Sequence, residues 1–156
     1  MFLKGNTKMK KIAIASILAL SAIAASAVEV GVTTTRDDTG ARNATGITVG
    51  NNYGRIGVTA GFERFTQGAN DQDRYSLVAG YNVAKFGAVT ITPKVGAAYL
   101  SNQRGADGYA MTVGVGASMP LTKKVTVGID YARQYGQDRV QSFDGDRVTA
   151  GVTYRF

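Results

Sequence analysis

The 156-residue chain contains neither cysteine nor histidine. Without cysteine it forms no disulfide bond and offers no thiolate to a metal ion or a substrate. Without histidine it lacks the usual general base at neutral pH and the commonest protein ligand of transition metals. No P-loop, dinucleotide-binding or EF-hand pattern supplies another cofactor site. The sequence therefore predicts no catalytic residue, no metal site and no cofactor.

Basic residues are sparse outside the N-terminus. The formal net charge of +7 includes Lys4, Lys8, Lys10 and Lys11, whereas the chain from Val28 onward holds 14 Lys and Arg against 11 Asp and Glu. Nucleic-acid binding domains concentrate Lys and Arg on one face or in one run. Because no such run occurs after the four lysines, the sequence predicts no nucleic-acid partner.

The four lysines precede an apolar run over residues 12–24 and the small residues Ala25-Ser26-Ala27. A basic start, an apolar run and a small-x-small end are typical of a cleavable secretory signal. The alternative, a membrane-spanning helix, needs about 20 apolar residues and is disfavoured by the short run. We predict a signal peptide over residues 1–27, with translation starting at Met1 or Met9, and one exported domain over residues 28–156.

Apolar and small or polar residues alternate throughout the exported domain, which is the period of a β-strand with two different faces. Eight such segments cover residues 28–36, 43–51, 55–65, 74–84, 88–100, 108–119, 125–135 and 146–156. Polar loops such as residues 37–42 alternate with tight connections such as Lys85-Phe86-Gly87. Because Pro93 cannot donate to a strand ladder, we expect a bulge or a register change beside it.

The last segment shows how the two faces differ. Its apolar face carries Val148, Ala150, Val152, Tyr154 and Phe156, and its other face carries Arg147, Thr149, Gly151, Thr153 and Arg155. A soluble calycin-type barrel has the same period with its apolar face inward, but it presents many charged residues to water. Here the second face is mostly Gly, Thr, Ser and Ala. The pattern predicts an all-β, membrane-spanning, eight-stranded antiparallel up-and-down barrel, closed because a bilayer leaves no partner for edge N–H groups.

Aromatic residues favour the same orientation. With both termini on the periplasmic side, one rim would hold Phe62, Phe65, Tyr75, Tyr99, Tyr109, Tyr131 and Tyr135, and the other Tyr53, Tyr81, Phe86, Tyr154 and Phe156. Two aromatic belts around an aliphatic band are typical of transmembrane barrels. The alternative is that Tyr and Phe are simply common in strands.

The signal, the eight amphipathic strands and the terminal Val152-Thr153-Tyr154-Arg155-Phe156 resemble the small eight-stranded outer-membrane barrels of Gram-negative bacteria, the opacity-protein and OmpA-transmembrane-domain superfamily. The resemblance implies export to the outer membrane. It also implies that the barrel-assembly machinery reads the closing segment as a signal. The residues concerned would be Val148, Ala150, Val152, Tyr154 and Phe156.

Six charged residues are predicted to face the barrel lumen: Glu29, Arg155, Glu63, Arg74, Lys94 and Asp130. The first two belong to the strands that meet when the barrel closes, and Glu63 and Arg74 belong to neighbouring strands. Because eight strands enclose a space about wide enough for their own side chains, paired charges that fill the lumen are favoured. The alternative is a hydrated path for small solutes or ions.

Three arginines, Arg36, Arg64 and Arg133, share the lipid-facing parity at the outer rim. Arginine suits phosphate recognition, so we predict contact with lipopolysaccharide phosphates, with ordinary solvated rim residues as the alternative. The aspartate pairs at residues 71 and 73 and at 144 and 146 are too sparse to predict a calcium site.

These features together predict a non-enzymatic outer-membrane β-barrel of a Gram-negative bacterium with a structural or surface-interaction role. A narrow pore for passive diffusion of small solutes or ions is the alternative. The expected partners are outer-membrane lipid, lipopolysaccharide and the barrel-assembly machinery. The sequence does not identify a surface ligand.

Overall fold

The computed structural model describes residues 28–37, 42–65, 72–102, 108–136 and 145–156. The predicted signal peptide lies outside the described residues. The strands are β1 (Val28–Asp37), β2 (Arg42–Tyr53), β3 (Ile56–Phe65), β4 (Gln72–Tyr81), β5 (Ala84–Phe86), β6 (Val89–Asn102), β7 (Gly108–Pro120), β8 (Val125–Gly136) and β9 (Gly145–Arg155). Among these residues no helix is long and apolar enough to cross a membrane.

The strands form one closed antiparallel sheet. Each long strand pairs with its neighbours in sequence, and β1 pairs with β9 to close the barrel. The short strand β5 pairs with β6, as β4 does further along β6, so β4 and β5 occupy one position in the wall. Eight positions result, and the predicted eight-stranded antiparallel barrel is confirmed.

Neighbouring strands are strongly staggered. From β1 around the barrel to β9, each residue of one row is the ladder partner of the next. The row is Glu29, Gly50, Thr59, Val78, Gly96, Thr112, Gln134 and Gly145. Glu29 lies near the start of β1 and Gly145 is the first residue of β9, so one hydrogen-bonded row climbs from one end of the barrel to the other. Such a stagger is how a tilted sheet closes on itself.

The wall changes register beside Pro93. Gly80 pairs with Lys94, whereas Ala84 pairs with Ile91, so three residues of the β4–β5 wall stand opposite two of β6. This bulge lies where proline cannot donate to the ladder. The expected connection at residues 85–87 is wrong in its position: Lys85 and Phe86 continue the wall as β5, and the turn follows at Gly87, whose φ of 61° favours glycine.

Large apolar side chains cover the outside of the barrel. Val32, Ile47, Val113, Ile129 and Val152 are each at least half exposed. The opposite face of every strand points into the barrel and holds most of the buried residues; Asn51, which shares the face of Ile47 and Val49, is an exception. An apolar outer surface of this extent suits lipid and not water.

Aromatic residues form a row on this outer surface. Phe62, Tyr75, Tyr99 and Tyr109 are successive partners across β3, β4, β6 and β7. Within the row, the Phe62 and Tyr75 rings and the Tyr99 and Tyr109 rings each have centroids 5.1 Å apart. At the other end of the barrel the Tyr154 and Phe156 centroids are 5.0 Å apart. Both rims therefore present aromatic side chains.

Phe65 is the exception, and its assignment to the aromatic belt is wrong. The residue follows Glu63 by two positions, shares its inward parity and is only 1% exposed. A ring at that position packs inside the barrel because successive strand residues alternate between faces.

Candidate functional site: the barrel lumen

The lumen has two different halves. We call the end that holds Val28 and Phe156 the proximal end, and the end where β1 finishes at Asp37 the distal end. A cavity of about 590 Å³ occupies the proximal and middle lumen and extends to Glu63, Arg74 and Arg147. Beyond these residues the inward side chains of the described strands are buried against one another.

At the proximal end, Glu29 and Arg155 are direct partners across the β1–β9 ladder. Arg155 donates from Nη2 to Glu29 Oε1 at 2.6 Å and from Nε to the same oxygen at 3.1 Å. Asn52 Nδ2 also donates to that oxygen, at 3.1 Å. The pair spans the seam that closes the barrel, and both side chains remain partly exposed.

At mid-height, Lys94 Nζ lies 2.7 Å from Asp130 Oδ1. The two residues belong to β6 and β8, which are separated by β7. Gly116 of β7 makes the contact possible, because a Cβ built there would lie 2.1 Å from Asp130 Oδ1 and 3.2 Å from Lys94 Nζ. The absence of a side chain at Gly116 thus leaves room for an ion pair that crosses a strand.

The distal lumen contains a cluster of four charged residues: Asp37, Glu63, Arg74 and Arg147. Each is at most 7% exposed. Arg74 Nη1 lies 3.3 Å from Glu63 Oε2, and Arg147 Nη2 donates to the same oxygen. Arg147 Nε is 3.9 Å from Asp37 Oδ2. Two carboxylates and two guanidinium groups balance one another, which is the condition under which charges are tolerated in a buried site.

Neutral side chains complete the distal cluster. Thr35 Oγ1 donates to Glu63 Oε1 at 2.7 Å, and its oxygen is 2.8 Å from Thr149 Oγ1. Arg74 Nε donates to Gln134 Oε1 at 3.0 Å. The Phe65 ring lies 6.0 Å from the Arg147 guanidinium carbon, within reach of a cation–π contact. Buried Leu100 adds apolar packing at the same end. The distal lumen is therefore filled by side chains.

Two members of this cluster were missed by sequence analysis. Asp37 was assigned to a loop, but it is the last residue of β1 and 1% exposed. Its position two residues beyond inward-facing Thr35 was the available signal. Arg147 was placed on the inward face without being selected as a site residue. Its partner Glu63 lies on β3, which does not pair with β9, so strand order alone did not indicate the contact.

The three rim arginines lie at the distal end, and each stands directly across a ladder from a hydrogen-bond acceptor. Arg64 Nε is 2.9 Å from Asp73 Oδ1, and Arg133 Nη1 is 3.4 Å from Asp146 Oδ1. Arg36 Nη1 donates to Asn43 Oδ1 at 3.2 Å. The Arg64 and Arg133 side chains remain more than half exposed despite these contacts. The predicted contact with lipopolysaccharide stays a prediction.

The closing segment places Val148, Ala150, Val152, Tyr154 and Phe156 on the outer surface. Phe156 is 75% exposed, and its backbone N–H donates to Val28 O at 3.1 Å. The arrangement keeps the five side chains on one face of the seam strand. Recognition by the assembly machinery stays a prediction.

Comparison with solved structures gives the same architecture. The N-terminal β-barrel domain of Pseudomonas aeruginosa OprF aligns with a TM-score of 0.68 and 15% identity, covering 83% of this chain and 97% of that one. A major outer membrane protein from Thermus thermophilus aligns with a TM-score of 0.58 and 14% identity, over 83% and 99% of the two chains. Neisserial surface protein A aligns with a TM-score of 0.56 and 16% identity, covering 83% of this chain and 95% of that one. At these identities the likeness establishes the fold alone.

The comparison with curated proteins found no match. The comparison with protein families matches residues 13–156 to the family described as Gram-negative porin. The match covers every strand of the barrel, and the neighbouring folds are outer-membrane barrels. The chain therefore belongs to the Gram-negative porin family and is an outer-membrane β-barrel.

Proposed function

We propose that this protein is a non-enzymatic outer-membrane barrel with a structural or surface-interaction role, and that its lumen is closed to solutes at rest. One observation carries the proposal: the charge-balanced distal cluster of Asp37, Glu63, Arg74 and Arg147 fills the lumen between the cavity and the distal end.

Energetics favours a persistent plug. Removing one partner of a buried ion pair costs about 3–5 kcal/mol, because the remaining charge stays buried without compensation. To open a path through the cluster, Arg74 or Arg147 would have to leave Glu63. The hydrogen bonds from Thr35 to Glu63 and from Arg74 to Gln134 oppose that movement.

The composition of the cavity wall supports a non-enzymatic role. Most of the lining residues are Gly, Thr, Ser and Ala, and each lining carboxylate, Glu29, Glu63 or Asp130, is engaged in an ion pair. A carboxylate that acts as a general base or nucleophile would need to be held free for a substrate. Incubation of the folded barrel with labelled lipopolysaccharide or a test peptide should yield no product, and product formation would refute this part of the proposal.

Conductance in planar bilayers tests the plug. Refolded residues 28–156 are expected to show no discrete openings. The variant Glu63→Ala/Arg147→Ala removes one charge of each sign from the cluster and leaves Arg74 and Asp37 to balance each other, so it is expected to open and to demonstrate that the assay detects a path.

A matched control removes an ion pair elsewhere in the lumen. Glu29→Ala/Arg155→Ala deletes the proximal pair and leaves the distal cluster intact, so it is expected to remain silent. Equal conductance in both double variants would refute the assignment of closure to the distal cluster.

The second candidate is a narrow diffusion pore. The family's description as a porin and the cavity of about 590 Å³ favour it. Discrete single-channel steps from the unmodified barrel would establish the pore and eliminate the closed-lumen proposal. Silence from the unmodified barrel, with openings from Glu63→Ala/Arg147→Ala, would eliminate the pore.

A further inference from the structure

The charges that line the cavity are unbalanced. Seven basic and three acidic side chains contribute to its wall. Lys94, Arg155, Arg74 and Arg147 each lie within ion-pair distance of a carboxylate. The remaining three, Lys85, Lys123 and Lys124, form no ion pair with any described residue, and all three lie at the proximal mouth of the cavity.

Two of the three lysines are presented by an ordered turn between β7 and β8. Leu121 and Thr122 donate backbone N–H groups to Val125 O at 2.8 and 3.2 Å. Thr122 Oγ1 accepts from the backbone N–H groups of Lys124 and Val125 at 3.2 and 3.0 Å. A turn held by four hydrogen bonds positions its side chains before any ligand arrives, which lowers the ordering cost of binding.

The same turn is tied to the seam. The backbone N–H of Arg155 donates to Lys124 O at 2.8 Å, so the lysine turn adjoins the Glu29–Arg155 pair. Lys124 Nζ also lies 5.9 Å from the centroid of the Tyr154 ring, which is on the outer surface of the barrel, so this ammonium group faces the outer surface as well as the cavity. Of the basic residues without an ion pair in the described part of the chain, Lys85 and Lys123 are therefore the two best placed to contact a ligand in the cavity.

Neutral hydroxyl donors line the cavity wall toward the same end as these lysines. The hydroxyl-bearing residues Thr90, Ser118 and Thr126 line the same part of the wall, and Lys85 is the direct partner of Thr90. The lining carboxylate at the proximal end, Glu29, accepts hydrogen bonds from Arg155 and Asn52. A cavity of about 590 Å³ with ammonium and hydroxyl donors at its mouth has the size of a small-ligand pocket, for which volumes of about 300–1,000 Å³ are usual.

We propose that the proximal lumen is a binding vestibule for small phosphate-type polyanions, held by Lys85 and Lys123 with the hydroxyl donors around them. The site needs no conduction, so it stands whether the distal lumen is closed or open. A free soluble anion and the phosphate of a lipid headgroup share this chemistry. Because both lysines line the cavity and not only the outer surface, the soluble anion is the occupant we infer.

The test uses isotope-labelled residues 28–156 in nanodiscs of zwitterionic phosphatidylcholine, titrated with sodium pyrophosphate at an ionic strength of about 0.1 M, where exposed charges more than about 10 Å apart are largely screened. Saturable amide shifts are expected in the turn at Thr122 and Lys123 and around Thr90. The variant Lys85→Gln/Lys123→Gln is expected to bind pyrophosphate about tenfold more weakly. Each substitution removes a positive charge that would lie a few ångströms from the multivalent anion and attract it.

Arg55→Gln is the matched control. Arg55 is an exposed basic residue at the proximal end, in the turn between β2 and β3, but it does not line the cavity. Its substitution is expected to leave pyrophosphate affinity within about twofold of the unmodified value, because a solvated charge outside the cavity is screened from the anion. Unboiled migration of each variant on a detergent gel verifies that the barrel is folded.

Four outcomes would overturn the proposal. They are no saturable shifts in the unmodified barrel, unchanged affinity in Lys85→Gln/Lys123→Gln, an equal loss in Arg55→Gln, and shifts centred on the distal arginines. A second arm repeats the titration in nanodiscs containing phosphatidylglycerol. Retained binding there supports a soluble occupant, whereas shifts at Lys123 and Thr90 caused by phosphatidylglycerol before any pyrophosphate is added would assign the lysines to lipid headgroups and overturn the soluble-anion assignment.

Discussion

Arg155 and Glu29 face each other across the only ladder of the described barrel that joins the first strand to the last, with Arg155 Nη2 2.6 Å from Glu29 Oε1. The Arg155 side chain is 50% exposed and that of Glu29 25%. Exposed ion pairs contribute little because water screens them and two side chains lose freedom.

We therefore expect a small coupling energy for this pair. A double-mutant cycle with Glu29→Gln and Arg155→Gln, measured by denaturant unfolding in lipid vesicles, should give about 0.2–1 kcal/mol. A coupling of several kcal/mol would mean that the seam depends on this pair, contrary to its exposure.

The distal cluster should behave differently. Arg147→Met leaves Glu63 and Asp37 with reduced compensation in a buried site, and the expected loss of unfolding free energy is about 3–5 kcal/mol. Adding Glu63→Gln to Arg147→Met should recover part of that loss, because it removes the uncompensated charge. Denaturant unfolding measures both variants, and additive losses would contradict the coupling seen in the structure.

Gly116→Ala should separate Lys94 from Asp130. Its Cβ would lie 2.1 Å from Asp130 Oδ1 and displace that carboxylate, and because the ion pair is about one-third exposed the expected destabilisation is about 0.2–1 kcal/mol. Gly128→Ala is the control, because its Cβ would meet its nearest neighbour, Ala117 O, at 3.4 Å. That substitution should be neutral or slightly stabilising. Equal effects of the two substitutions would contradict the claim that the missing side chain at Gly116 makes room for the Lys94–Asp130 ion pair.

Neutralising the rim arginines tests the lipopolysaccharide contact. The variant Arg36→Gln/Arg64→Gln/Arg133→Gln should weaken association with lipopolysaccharide vesicles by about tenfold. Each substitution removes a guanidinium group that can donate charge-assisted hydrogen bonds to a phosphate. Arg55→Gln, at the opposite end, should have no effect. Unchanged association of the triple variant would mean that the arginines serve only their acceptors Asn43, Asp73 and Asp146.

Phe156→Ala should slow assembly of the barrel more than it destabilises the folded protein. The ring is 75% exposed on the lipid-facing rim, so its contribution to the unfolding free energy comes mainly from lipid and should be at most about 1.5–3 kcal/mol. Assembly is measured by the appearance of the fast-migrating unboiled form in the presence of the assembly machinery. Val32→Ala, another exposed outward position, is the control. Equal assembly rates in the two variants would eliminate Phe156 from the signal.

Much of the fold was readable from the sequence because a strand alternates between two faces. In β9, that alternation places Val152 and Tyr154 outside and Arg147 and Arg155 inside, as the structure has them. The same rule applied to β3 would have placed Phe65 inside. Its assignment to the belt followed the residue type instead of the parity.

Contacts between neighbouring strands were also accessible. In an up-and-down barrel the first and last strands meet, so Glu29 and Arg155 could be matched before the structure was known. Glu63 and Arg74 are adjacent for the same reason, since a hairpin joins their strands.

Only the tertiary structure decided which residues meet across the lumen. Arg147 reaches Glu63 from a strand that does not pair with β3, and Lys94 reaches Asp130 across β7. These contacts depend on the stagger of the strands and on the space left by Gly116, neither of which alternation encodes. The sequence by itself determined an outward apolar face and an inward small and charged face. In the closed barrel, the inward charged residues of different strands fill the distal lumen, whereas the proximal lumen stays open and is lined by more basic than acidic residues.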